Sequence, residues 1–265
     1  MHVINPFRPW PFRPLFARRL AIGVGAALIA LAVLPLAHAR ADNNRAAWNE
    51  APNVPPIDKQ DRVYGKAEAR FSLIVWLDPE CPYCKVLGAQ PQHVVDSSNG
   101  RINLAVRLYP LPFHGPNAML AASTALCVAD QAGVMGYYHF LDEWMARTGS
   151  NGRGLRGGSG GSDDPVASLA AASGAHNRDA LAGCTTSSKT SQRLAAEMRS
   201  ADLAGIEGTP AIALRDNRVG HTIMVAGAVS EADMRDAVHQ LGQVDDHPDR
   251  APAQDPQSMP GGATH

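Results

Sequence analysis

Two cysteines separated by two residues, Cys81 and Cys84 in the sequence Cys-Pro-Tyr-Cys, are the part of the chain best suited to do chemistry. At the start of a helix, residues three apart lie on the same face, close enough for their sulfurs to form a disulfide or to share a metal ion. Pro82 favours helix entry here, because a proline in the first turn loses no hydrogen bond and has a suitable φ. The motif therefore predicts a dithiol at a helix N-terminus.

The position of Cys81 predicts an unusually acidic thiol. The apolar run 71–77 predicts a buried strand, and the short link 78–80 joins it to the helix. Free backbone N–H groups and the helix dipole at that N-terminus stabilise a thiolate. Such sites lower the pKa of a thiol from about 8.5 to roughly 3.5–7.5. We expect Cys81 to be the reactive sulfur and Cys84, one turn deeper, to be buried and protonated.

The first 41 residues have the organisation of a secretory signal peptide. A basic start without any acid leads into the uncharged apolar segment 20–36, and small-residue A-x-A patterns end at Ala41. We expect cleavage after Ala41 and export to the periplasm. An uncleaved membrane anchor facing the periplasm is the alternative, since the apolar run is near the lower limit of about 17 residues for a membrane span.

Charge and cysteine content narrow the function classes. The chain has 24 basic and 25 acidic residues, so no strong field recommends nucleic acid as a partner. In an oxidising compartment, cysteines are expected in disulfides. Cys81 and Cys84 make one pair, and Cys127 with Cys184 is the natural second pair, which we interpret as a structural disulfide between two helices. A second redox relay is the alternative for that pair.

The order of secondary structure predicts one α/β domain split by a helical insertion. The predicted elements are strand 71–77, helix 81–96, strand 102–108, a block of helices, strands 211–214 and 221–226, and helix 230–241. The first three form a βαβ unit, which favours a right-handed crossover, and the last three form a ββα unit.

Three passages resemble the DsbA-like branch of the thioredoxin superfamily. They are Asp78–Lys85 around the cysteines, Tyr109–Ala118 with Pro-Leu-Pro-Phe-His-Gly-Pro-Asn-Ala, and Gly205–Ala211 with Gly-Thr-Pro. The resemblance covers roughly Tyr64 to Leu241. It implies a thioredoxin fold with a helical insertion between the βαβ and ββα halves, which agrees with the element order.

The resemblance and the order of elements together predict how the chain divides into segments. The segments are a signal peptide at 1–41, a linker at 42–63, a thioredoxin domain at 64–109 and 205–242, an inserted helical subdomain at 110–204, and a disordered tail at 243–265.

The resemblance also implies roles for the central residues. Cys81 would attack and Cys84 would resolve, with Pro210 as a cis-proline packed beside them. The cis bond would turn the backbone of Thr209 toward the dithiol, where it could pair with an extended substrate strand. No metal and no cofactor other than the redox-active disulfide is implied.

The neighbouring residues have less definite interpretations. Pro82 and Tyr83 belong to the active-site loop, together with Glu80, which is either a solvated turn residue or a tuning or proton-relay group. Lys85 is interpreted as an exposed surface lysine. His114, just before a helix, is interpreted as a helix-start or buried hydrogen-bonding residue rather than an acid or base.

The sequence therefore predicts an exported, monomeric thiol:disulfide oxidoreductase. It would pass its disulfide to unfolded or thiol-bearing exported proteins, and a membrane redox partner would recycle it. The active-site passage also resembles the DsbG/DsbC isomerases, but their N-terminal dimerisation domain has no counterpart in the linker at 42–63. A metal-binding protein and a chaperone-type thioredoxin-fold protein are the remaining alternatives.

Overall fold

A computed structural model describes residues 46–156 and 164–246. The predicted signal peptide at 1–41 lies outside these residues, as does the predicted tail from residue 247 onward.

The described residues form one mixed sheet. Its strands are β1 Asn49–Glu50, β2 Val63–Gly65, β3 Phe71–Leu77, β4 Ile102–Leu108, β5 Ala211–Asp216 and β6 Thr222–Ala226. The strand order is β1–β6–β5–β3–β4–β2, with β3 and β4 parallel and every other neighbouring pair antiparallel.

Helices cover the sheet and form the insertion. In the part of the chain that the structure describes they are α1 Pro82–Leu87, α2 Gln90–Asp96, α3 Gly115–Arg147, α4 Pro165–Ala172, α5 Arg178–Thr185, α6 Ser188–Leu203 and α7 Glu231–Asp246. The helices α3 to α6 lie between the βαβ and ββα halves. The predicted α/β architecture with a helical insertion is therefore confirmed.

The central strand β3 is apolar because both faces of the sheet are covered. All seven of its residues are buried. Alternate side chains divide between two cores: Leu73 and Val75 join the larger one beneath the helices, whereas Ile74 and Trp76 pack with the start of the domain and α6. The indole N–H of Trp76 donates to the hydroxyl of Ser200 on α6, at 2.9 Å.

The long helix α3 is the core of the insertion. By length and composition alone, the helical stretch Pro112–Arg147 could cross a membrane. In the structure it breaks at Gly133, where φ is +70°, and its second half buries Tyr137, Phe140 and Trp144. These three aromatic residues, at helical i, i+3 and i+7 spacing, therefore belong to the core.

The segment 42–63, predicted as a linker, is in large part built into the domain. Asn49 and Glu50 pair with β6, and Ala51 and Val54 are buried in the smaller core. Arg107 on β4 holds the following residues, because its guanidinium donates to the carbonyl oxygens of Pro55 and Pro56 at 3.0 and 2.8 Å. The linker prediction is wrong here because a two-residue strand leaves no alternating pattern to detect.

Two predicted helix boundaries also change. The helix predicted from Cys81 to Asp96 is broken between α1 and α2 at Gly88, where φ is +51° and a side chain would be strained. At the other end, α7 continues to Asp246, so residues 243–246 of the predicted disordered tail are helical. Ion pairs from Arg70 and Arg218 to Asp246 fix this end of the chain.

His221 joins the first strand to the last helix. Its Nδ1 lies 2.7 Å from a carboxylate oxygen of Asp245 on α7, and its Nε2 lies 3.0 Å from one of Glu50 on β1. Burial lowers the pKa of the imidazole and the two carboxylates raise it by more, so the net pKa is raised.

We therefore expect His221→Gln to destabilise the protein more at pH 6 than at pH 8.5. Because the pKa of His221 is higher in the folded state than in the unfolded state, the protonated imidazole stabilises the fold. This stabilisation is complete below the unfolded-state pKa of about 6.5 and is lost as the pH rises through the folded-state pKa. Urea unfolding at both pH values measures the difference. The exposed His176→Gln variant is the control, and an equal loss at both pH values would contradict the prediction.

Candidate active site

The dithiol lies at the start of α1, directly after the short link that follows β3. Cys81 is the N-cap residue and Pro82 begins the helix. Both cysteines are reduced and buried, with Cys81 exposed by 4% and Cys84 by 0%. The order of strand, link and helix is the one that the sequence predicts, and it places Cys81 against the free N–H groups of the first helical turn.

The loop before β5 brings Thr209 and Pro210 to the same place. The peptide bond between them is cis, and the carbonyl oxygen of Thr209 accepts a hydrogen bond from the Cys81 thiol at 3.2 Å. Residues 128 positions apart in the sequence therefore meet at one sulfur.

The pKa values of the two thiols are shifted in opposite directions. The pKa of Cys81 is lowered most by a hydrogen bond from Cys84, whereas burial raises it. Hydrogen bonds from the hydroxyl of Thr209 and from the N–H groups of Cys84 and Tyr83 lower it further. The net pKa of Cys81 is about 6. Burial and the neighbouring Cys81 raise the pKa of Cys84 well above its ordinary value. The arrangement provides one thiolate and one protonated thiol near neutral pH.

We expect Cys81 in the reduced protein to be alkylated with a midpoint near pH 6, because its thiolate is held at a pKa of about 6. Iodoacetamide rates against pH, with the modified residue located by mass spectrometry, give the value. Cys84→Ala should move the midpoint upward by removing the principal hydrogen bond. A midpoint near 8.5 in the unmodified chain, as in a free cysteine, would contradict the prediction.

The same acidity makes the stability of the reduced protein depend on pH. The pKa of Cys81 is depressed in the folded state, so its contribution is complete above the unfolded value of about 8.5 and is lost as the pH falls through about 6. Between these values the reduced form should therefore gain stability as the pH rises.

Asp78, in the link before the dithiol, holds the neighbouring loop in place. Its carboxylate is fully buried and accepts hydrogen bonds from the N–H of Glu80 at 2.8 Å, the N–H of Leu111 at 2.7 Å and Nδ1 of His114 at 2.7 Å. The sequence analysis does not identify Asp78 as a site residue. The only sequence feature that indicates a role for it is its position directly after a buried strand.

Glu80 is buried, and its carboxylate binds the end of α3. It accepts hydrogen bonds from Nε1 of Trp144 at 2.8 Å, the hydroxyl of Thr148 at 2.6 Å and the N–H of Gly154 at 3.1 Å. Among the described residues it forms no ion pair within 4.0 Å. The interpretation of Glu80 as a solvated turn residue is wrong, because the loop after α3 covers it.

That loop forms one wall of the site. The N–H of Asn151 donates to the carbonyl oxygen of Glu80 at 2.7 Å, and Asn117 donates to the carbonyl oxygen of Gly152 at 2.8 Å. Gly152 has φ of +77°, and a Cβ atom there would lie 2.4 Å from the carbonyl oxygen of His114. Only glycine fits this close approach.

Two aromatic side chains near the site are exposed to solvent. Tyr83 is 67% exposed and Phe113, next to His114, is 76% exposed. Lys85 is exposed as predicted, and its ammonium group donates to the carbonyl oxygens of Ala146 and Thr148, at 3.3 and 3.1 Å. Phe113 was not identified from the sequence, since a single exposed aromatic residue carries no pattern.

The other two cysteines form a disulfide. Cys127 on α3 and Cys184 on α5 are joined, with their Cα atoms 5.8 Å apart and their positions 57 apart in sequence. This is the pairing that the sequence predicts, and it links two helices of the insertion.

Comparison with known proteins agrees with this fold and site. The family model described as Thioredoxin matches residues 58–239, and the chain therefore belongs to this thioredoxin family. A search of curated protein sequences gave no match.

Among solved structures, the chain is similar to DsbA-type proteins. Pseudomonas aeruginosa DsbA2 is 27% identical, with a TM-score of 0.60 over 71% of this chain and 98% of that one. The thiol-disulfide exchange protein alpha-DsbA2 from Wolbachia pipientis is 19% identical, with a TM-score of 0.56 over 69% and 88% of the two chains. Bacillus subtilis BdbD is 15% identical, with a TM-score of 0.55 over 74% and 98%. The last two show the fold alone, and the predicted DsbA-like resemblance is confirmed.

Proposed function

We propose that this protein is a DsbA-type thiol:disulfide oxidoreductase that passes the Cys81–Cys84 disulfide to cysteine-containing proteins. The observation that carries the proposal is the pairing of an acidic thiol on Cys81 with a buried thiol of raised pKa on Cys84, beside the cis Thr209–Pro210 bond. The 27% identity with Pseudomonas aeruginosa DsbA2 supports it.

The opposite acidities suit an oxidase. A substrate thiolate attacks the sulfur of Cys81, the bond between Cys81 and Cys84 breaks, and Cys84 takes up a proton because its pKa is raised. A second substrate thiolate then attacks the substrate sulfur of the mixed disulfide. Cys81 leaves readily because its thiolate is stable, and two electrons have passed from the substrate to the protein.

A groove beside the cis-proline supports binding of an extended substrate segment. It has a volume of about 300 Å³ and is lined by residues 205–211 and by part of β6. The backbone of Thr209 faces the dithiol, where a substrate strand can add hydrogen bonds. The exposed rings of Tyr83 and Phe113 offer apolar contact to an unfolded chain.

The proposal extends to compartment and partners. The basic and apolar N-terminal pattern supports export to the periplasm, where disulfides persist. Each turnover leaves the dithiol reduced, so a membrane redox partner must remove two electrons. We propose that the protein acts as a monomer on thiol-bearing exported proteins.

Three measurements on one purified sample test the proposal. They are the reduction potential of the dithiol, the rate of oxidation of a reduced dithiol peptide, and the rate of reshuffling of a scrambled disulfide protein. An oxidising potential, rapid peptide oxidation and poor reshuffling are expected. A dimer that reshuffles efficiently would instead indicate a DsbG/DsbC-like isomerase, and failure of both reactions would leave a chaperone-type protein.

A further inference from the structure

A second cavity lies away from the dithiol and contains no residue of the site described above. It has a volume of about 450 Å³ and lies between the segment 55–62, Arg107 on β4, Asp130 on α3 and the residues 189–200 of α6. Five basic and four acidic residues line it. The arrangement of these charges indicates what the cavity can bind.

The buried side chain of Arg62 forms the floor of the cavity. Its side chain is only 9% exposed, and one of its N–H groups, on Nη1, donates to Glu197. The guanidinium has five N–H groups, and no other one donates to a described residue. Both oxygens of Glu197 are engaged, one by Arg62 and the other by the N–H of Leu108 at 2.6 Å. None of its nitrogens is both buried and without a partner in the described residues, so the unused donors of Arg62 are open to water or to an anion in the cavity.

Two other carboxylates that line the cavity, Asp61 and the exposed Asp130, are paired with arginines. Asp61 accepts two hydrogen bonds from Arg107, at 3.0 and 2.8 Å, and Asp130 accepts one from Arg193 at 2.7 Å. These groups leave the unused donors of Arg62 facing the cavity without a carboxylate to take them.

Positive charge is in excess at the rim. Lys59 and Lys189 are exposed, line the cavity and form no ion pair within the described ranges. Asp58, the one lining carboxylate without a basic partner there, accepts a hydrogen bond from the N–H of Gln60 in its own turn at 2.7 Å. Two lysine charges and a buried arginine fork therefore face one space.

We propose that this cavity binds a phosphate-class oxyanion, with Arg62 at its base and Lys59 and Lys189 at its rim. A guanidinium offers paired N–H donors to two phosphate oxygens, and lysines add point charges to the others. The ligand is either free phosphate or the phosphate group of a larger molecule. The proposal does not depend on the redox function.

Isothermal titration calorimetry of the full chain tests the proposal at constant ionic strength. Inorganic phosphate and glycerol 3-phosphate are the two probes, and sodium acetate and sodium chloride are the control titrants. Saturable binding of phosphate, absent with acetate and chloride, is expected. Tighter binding of glycerol 3-phosphate would assign the site to a phosphate ester, and equal or weaker binding would assign it to free phosphate.

The double variant Lys59→Gln/Lys189→Gln should weaken phosphate binding about tenfold, since it removes two charge-assisted contacts. Both lysines are exposed, so the variant is expected to fold. The exposed Lys66→Gln variant, outside the cavity, should bind like the unmodified chain. No saturable phosphate binding, or equal binding by the double variant, would overturn the proposal.

Discussion

Replacing Cys81 by serine is expected to lower the rate of thiol–disulfide exchange to the uncatalysed rate. The hydroxyl can form no disulfide, and Cys84 cannot substitute for it because it is fully buried and its pKa is raised. Oxidation of a reduced dithiol peptide by Cys81→Ser and by the unmodified protein, each first treated with the same oxidant and then freed of it, measures the effect.

Cys84→Ser is the matched control for this prediction. In this variant the Cys81 thiolate attacks a disulfide of an oxidised substrate, and one substrate sulfur leaves as a thiolate. The resulting mixed disulfide persists because the neighbouring sulfur that resolves it is gone. Covalent complexes with substrate should therefore accumulate and be visible on a non-reducing gel, and Cys81→Ser should show none. Peptide oxidation by Cys81→Ser at the normal rate would refute the assignment of the reactive sulfur.

Glu80→Ala should lower the free energy of unfolding by about 3 kcal/mol. The substitution leaves the buried N–H groups of Trp144 and Gly154 without an acceptor, and each orphaned group costs about 1–3 kcal/mol. Thr148 loses less, because its hydroxyl also lies 3.2 Å from the carbonyl oxygen of Gly154. Urea unfolding of the reduced protein measures the change.

The negative charge of Glu80 should also affect the pKa of Cys81, and a second substitution separates this effect from the loss of stability. A carboxylate beside Cys81 disfavours its thiolate, so Glu80→Gln should lower the pH midpoint of Cys81 alkylation while preserving the side-chain volume. The exposed Glu207→Ala variant should leave stability within about 0.5 kcal/mol of the unmodified chain. If Glu80→Ala were equally neutral, the carboxylate would not hold the loop.

The sequence predicts the regular part of the fold well because that part is patterned. A continuous apolar run specifies β3, and the spacing of Tyr137, Phe140 and Trp144 specifies the buried face of α3. β1 and β2 were not predicted, since strands of two and three residues are too short to alternate.

The dithiol and the cis-proline could also be predicted, but the groups that hold them could not. A carboxylate is almost never fully buried, so Glu80 and Asp78 would be placed on the surface by any rule of composition. Apart from the N–H of Glu80 itself, which binds Asp78, their hydrogen-bond partners are 33 to 74 positions away in sequence, such as Gly154 for Glu80 and His114 for Asp78. Only the folded chain brings these donors together.

The two edge strands of the sheet are unusually short. The outermost strands, β1 and β2, contain two and three residues, so each presents few unpaired N–H and C=O groups to solvent. An exposed edge is a template on which another chain can add a strand and begin to aggregate. A protein whose proposed partners are unfolded chains meets that hazard at every encounter. If it binds such chains at the groove beside Pro210, as proposed, its short edge strands offer them little backbone on which to add a strand.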